Sequence, residues 1–135
     1  MTITNPFVST LAPAVGYAHV TVATGTRLVF STQTALDTQG NLVGAHDLAV
    51  QTSQAIKNLA FALSAANATL ADIAKTTLYV VSLDDDSLPK IFAGISAYTE
   101  ETGQQLPLTA STLLGVQRLG LADALIEIEA VAVLP

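Results

Sequence analysis

Seven residues near the C-terminus, Leu125-Ile126-Glu127-Ile128-Glu129-Ala130-Val131, carry the clearest chemical signal in the chain. Residues two apart in a strand share a face, so Glu127 and Glu129 point the same way, ~7 Å apart along the chain, while Ile126, Ile128 and Ala130 point the other way. Carboxylates this close repel one another, and such repulsion is one way acid–base sites are tuned. A half-solvated strand, or an interface strand with charge partners, would carry the same pattern, and spacing alone leaves both readings open. Other reactive groups are sparse. His19 and His46 stand apart, without the helical pairing that metal ligation uses; His46 reads as a solvated residue beside a helix start and His19 as structural. GxGxxG, P-loop and GxSxG patterns are absent. With no cysteine in the sequence, disulfides, zinc fingers, iron–sulfur clusters and thiol chemistry are excluded.

The elements that must position these groups follow from periodicity. Thr2 to Tyr17 is rich in turn formers and reads as an arm laid over something. His19–Thr24 and Arg27–Gln33 are β-branched runs separated by Gly25-Thr26, the pattern of a hairpin. Asp37 to Asn41 is a turn cluster. Asp47 is positioned to cap a helix whose apolar stripe includes Leu48, Ala55, Leu59, Leu63 and Ala66 and ends at Asn67. Lys75–Val81 favours a pleated surface. Asp84, Asp85 and Asp86 before Ser87-Leu88-Pro89 read as a helix start rather than a metal site. Leu88, Ile91, Phe92, Ile95 and Tyr98 then form a second stripe that closes by Gly103. Thr109–Arg118 and Leu125–Val133 are the last strands, joined by a turn near Gly120–Asp123. The order predicts one α+β domain over residues 1–135: a single, mostly antiparallel sheet with two helices on one face.

Composition bounds the context. Charged residues are 12% of the 135, against ~25% in ordinary soluble domains, and the mean hydropathy is +0.51. So small a domain leaves apolar surface uncovered unless another chain buries it, which predicts a homo-oligomer. The net charge is −6, and Arg27, Lys57, Lys75, Lys90 and Arg118 are scattered, so no nucleic-acid footprint is expected. The first 26 residues lack Lys and Arg, against a signal peptide. No apolar run reaches the ~20 residues of a spanning helix. Neither membrane nor nucleic acid is expected as a partner, and the cytoplasm is the expected compartment.

Four blocks, Ala12-Pro13-Ala14-Val15-Gly16-Tyr17, Leu28-Val29-Phe30-Ser31-Thr32-Gln33, Asp72 to Val80 and Ile126 to Val133, occur in an order and spacing that resemble the reactive intermediate deaminase (Rid, or YjgF-type) family. The resemblance spans nearly the whole chain. It implies a chorismate-mutase-like α+β fold, a homotrimer with clefts between adjacent subunits, and hydrolysis of enamines and imines to 2-oxo acids and ammonia without a cofactor. It makes Glu127 the residue that positions the hydrolytic water. Tyr17 fits the tyrosine of the family's Gly-(Pro)-Tyr element, and Ser31 fits the serine of its Ser-Gly-Gln element, with Thr32 in place of the glycine. Ser111 falls where the family has the arginine that binds the substrate carboxylate, and Thr112 follows it. Arg118 is no substitute, because seven strand residues place it ~23 Å from Ser111 and on the opposite face. The resemblance therefore implies a small-molecule hydrolase or deaminase with altered ligand preference. The alternative is a non-catalytic ligand-binding or regulatory trimer, and RNA cleavage ranks behind both.

Overall fold

The computed structural model describes residues 2–135, so Met1 of the 1–135 span lies outside the described residues. The elements in chain order are β1 (Thr2–Thr4), β2 (Val22–Thr24), β3 (Arg27–Gln33), α1 (Leu48–Ser64), β4 (Ile73–Val81), α2 (Ser87–Thr102), β5 (Ala110–Val116) and β6 (Ile126–Leu134). A short 3-10 turn, Leu70–Asp72, leads into β4. The main sheet has four strands in the order β3-β6-β4-β5. Strand β6 runs antiparallel to β3 and β4, and β5 runs parallel to β4. The parallel step needs a crossover connection, and α2 supplies it. The result is the expected α+β architecture, with both helices over one sheet face and a mostly antiparallel sheet.

Alternation along β6 decides which face is which. Ile126, Ile128, Ala130 and Ala132 are buried and join Ile56, Leu59 and Leu63 of α1 and Ile91 and Tyr98 of α2 in the core. Glu127 and Glu129 face away from the helices. Asp47 caps α1, its Oδ1 accepting the Val50 N–H at 3.0 Å. Fully buried Gln51 then ties the helix to the entry of β6: its Oε1 accepts the Leu125 N–H at 2.7 Å while its Nε2 donates to the Gly44 and Asp123 carbonyls. The aspartate run opens α2 as expected. Asp84 Oδ1 accepts from the Ser87 hydroxyl at 3.0 Å and from the Asp86 N–H at 2.9 Å, and Pro89 lies in the first turn, where no N–H is needed.

One expected neighbourhood is replaced. The runs on either side of Gly25-Thr26 do not form a hairpin. Strand β2 pairs with β1 in a separate two-stranded ribbon, and β3 pairs with β6. At Gly25 the backbone presses against the end of β6: a Cβ there would lie 2.7 Å from Val133 Cγ1, and the next residue donates its N–H to the Leu134 carbonyl at 3.0 Å. Strands β5 and β6, consecutive in sequence, are separated in the sheet by β4. The N-terminal arm does lie over another element, the start of β5. The Ala18 N–H donates to Thr109 O at 2.8 Å, and the Asn5 side chain donates to Leu108 O at 2.7 Å. No helix among the described residues is long and apolar enough to cross a membrane.

Candidate functional site

The face of the sheet away from the helices carries the carboxylates. Glu127 is half-buried and Glu129 exposed. Register puts Tyr79 of β4 opposite Glu127, and Thr77 and Thr32 on either side of Glu129. The Thr32 hydroxyl donates to Glu127 Oε1 at 3.2 Å, fixing one carboxylate oxygen. The Tyr79 hydroxyl is 3.4 Å from Glu129 Oε1. Partial desolvation, then the Glu129 charge and hydrogen bond, then the Glu127 charge, raise the Tyr79 phenol above its ordinary 10.0. Farther along the same face, Lys75 Nζ donates to Thr112 Oγ1 at 3.0 Å.

The helix side holds a cavity of about 340 Å³. It exists because α2 packs along α1 and stands off from β4 and β5. Leu88, Phe92 and Ile95 form its wall, and Leu78, Ser111 and Leu113 part of its floor. Gly16 and Tyr17 of the arm close one side. Gly16 has φ +78°, and a Cβ there would meet the Phe92 ring at 2.8 Å, so the position suits glycine on both counts. Tyr17 stacks edge-on against His19, with ring centroids 5.3 Å apart. His19 Nε2 donates to the Ala12 carbonyl at 2.6 Å, a structural tie that folds the arm back on itself. His46 is exposed beside the Asp47 cap.

A model of the family described as Endoribonuclease L-PSP matches residues 7–134. A crystal structure of a Rid-family protein of unknown function, YyfB from Yersinia pestis, superposes with a TM-score of 0.86 at 36% identity, covering 99% of this chain and 100% of that one. The chain belongs to the Rid (YjgF-type) family. A RutC family protein of Synechocystis is 32% identical over 126 residues, 92% of either chain. Escherichia coli TdcF, whose crystal structure holds bound serine, aligns at 25% identity with a TM-score of 0.67, covering 93% of this chain and 91% of that one.

Set in this Rid fold, the residues singled out in the sequence divide between two faces. Glu127, Thr32 and Thr112 occupy the face away from the helices, whereas Ser31 and Ser111 face the helix side and Tyr17 flanks the cavity. Ser31 Oγ accepts from Gln33 Nε2 at 3.1 Å, two residues along the same strand. Thr32 and Glu127 are thus in direct contact and Tyr17 and Ser111 share one cavity, but within a single chain the two pairs lie on opposite sides of the sheet. Arg118 lies beyond the end of β5, past Val116, at the opposite end of the strand from Ser111. Sequence reasoning missed Thr76 and Thr109, whose hydroxyls join Ser111, and Lys75. Thr76 becomes a neighbour of Ser111 only through the parallel β4–β5 register, which no local pattern specifies, whereas Thr109 lies two residues before Ser111 on the same segment.

Proposed function

We propose that the protein is a cofactor-independent hydrolase of imines and enamines that works as a homotrimer, with Glu127 orienting and deprotonating the attacking water. The carrying observation is the Glu127 carboxylate, half-buried on a central strand with Oε1 held by the Thr32 hydroxyl at 3.2 Å. One oxygen is fixed in orientation, and the other remains to accept a proton. In this reaction a water O–H proton passes to Glu127 as the water oxygen bonds to the carbon of a protonated C=N group, giving a neutral carbinolamine. Glu127 then returns that proton to nitrogen and takes the carbinol O–H proton as the C–N bond breaks, so that ammonia or an amine leaves and a carbonyl remains. An enamine enters the same route after protonation at carbon.

The two-sided distribution of residues is consistent with a composite site. Strands β3 and β5 are the two edges of the sheet. A ring of three copies with the β3 side of one against the β5 side of the next would bring Thr32 and Glu127 of one copy toward Tyr17 and Ser111 of another, as the clefts implied by the family resemblance require.

A screen of neutral and carboxylate-bearing imines and enamines, followed by Glu127→Gln on the best substrate, tests the mechanism. A general-base loss of ~10²–10⁴-fold in turnover is expected, with folding and assembly intact. Glu129→Gln should be milder. Equal turnover by wild type and Glu127→Gln overturns the assignment. A second reading, a non-catalytic ligand-binding trimer, is favoured by Ser111 standing where the resemblance calls for the carboxylate-binding arginine; absence of turnover on every imine would establish it over the first. RNA cleavage, suggested by the description of the matching family, is disfavoured by the net charge of −6 and the scattered cations.

A further inference from the structure

The cavity beneath α2 has a floor and walls of opposite chemistry. Its walls are apolar, and among its lining residues Tyr17 alone is titratable. Its floor carries three hydroxyls in sequence. Thr76 Oγ1 donates to Ser111 Oγ at 2.9 Å, and Thr109 Oγ1 lies 3.2 Å from Thr76 Oγ1 and 3.2 Å from the Ala110 carbonyl. A hydroxyl has one proton to give. With the Thr76 proton committed to Ser111, Thr109 gives its own to Thr76 or to Ala110. In either case Ser111 receives a hydrogen bond and, among the described residues, gives none. Buried Thr76 and Thr109 therefore leave the Ser111 proton uncommitted at the cavity surface, available to an acceptor.

An anion that sheds its water to seat here would meet no cation among the lining residues, and a lone serine hydroxyl does not offset the desolvation of a carboxylate. An uncharged molecule meets no such cost. At about 340 Å³ the cavity falls within the usual range for small-ligand sites. We propose that this cavity selects an uncharged ligand, a compact branched-aliphatic or aromatic body under α2 with one carbonyl- or imine-type acceptor that takes the Ser111 proton. That this ligand is the substrate rests on the hydrolase reading above; that the cavity binds it does not.

Calorimetric titration of the full chain with isovaleramide and with isovalerate, a neutral and an anionic molecule of matched shape, tests the assignment. Wild type should bind the amide tighter than the carboxylate by about tenfold or more. Ser111→Ala should weaken amide binding about 3–10-fold, the worth of a neutral hydrogen bond, and lower the thermal midpoint only modestly, because buried Thr76 loses one acceptor while the fold is kept. Ser111→Arg should reverse the preference in favour of isovalerate. Carboxylate binding as tight as the amide's, no amide binding, or amide affinity unmoved by Ser111→Ala each overturns the proposal. The two readings fail separately. The expected binding pattern without turnover of any imine sinks the hydrolase and leaves the ligand class standing, whereas efficient turnover of a carboxylate-bearing imine in preference to a neutral one sinks the ligand class and leaves the hydrolase.

Discussion

Tyr79 is a local reporter of the carboxylate face. Its hydroxyl is 3.4 Å from Glu129 Oε1, and desolvation together with the Glu129 and Glu127 charges raises its pKa above 10.0. Because the folded-state pKa is the higher one, the contribution of this group to stability is complete below the ordinary phenol pKa and is lost as pH rises through the raised value. Glu129→Gln should therefore move the Tyr79 transition downward in an ultraviolet phenolate titration, and more than Glu127→Gln does, since Glu129 contributes both charge and hydrogen bond. An unchanged transition in Glu129→Gln would show that the two groups are not coupled. At this scale the Glu127–Glu129 pair was legible from parity alone. The Thr109–Thr76–Ser111 series was not, because Thr76, which links the other two, reaches them only across strands, and β4 meets β5 by way of the whole of α2.

The helices were legible as elements because each carries its own stripe and start signal. What brings α1 against α2 is a residue without a side chain. A Cβ at Gly94 would run into the Ala49 carbonyl and lie 2.7 Å from Thr52 Cβ, so glycine is what lets the two helices approach closely. Lys57 of α1 and Glu101 of α2 add an exposed ion pair at 3.2 Å, which contributes at most about 1 kcal/mol. Gly94→Val should cost ~1–3 kcal/mol by overpacking, read as a lower urea midpoint. Gly120→Ala, at a position with nothing within 4 Å of the added Cβ, is the control and should stay within about 0.5 kcal/mol of wild type. Equal midpoints for the two variants would show that the helix contact is loose. The strands were harder to place than the helices. Their existence follows from composition and alternation, but sheet order does not, and so Gly25-Thr26 resembles a hairpin turn while the strands beside it pair elsewhere.

At the scale of the molecule, the question is what covers the sheet face opposite the helices. On β3, Leu28 is 56% and Phe30 69% exposed, both on that face beside the carboxylates. Large apolar side chains grouped on an otherwise sparsely charged surface mark an interface. The two sheet edges are unlike: the start of β5 is covered by the arm through Ala18 and Asn5, while β3 presents its apolar side chains. A contact between unlike surfaces is heterologous, and it stays finite only if the rotation closes into a ring. Three copies, as the family resemblance implies, would satisfy that closure and shelter Leu28 and Phe30. Light scattering should therefore give a trimer for the wild-type chain. Phe30→Asp should shift the mass toward one copy while far-ultraviolet circular dichroism retains the helical signal, because Phe30 lies on the opposite side of the sheet from the α1 and α2 core. Loss of assembly should then abolish any imine turnover together with the composite cleft, even though Glu127 and Thr32 remain on the same chain. A wild-type monomer at micromolar concentration, or a Phe30→Asp variant that stays trimeric, would mean that this face is not the interface.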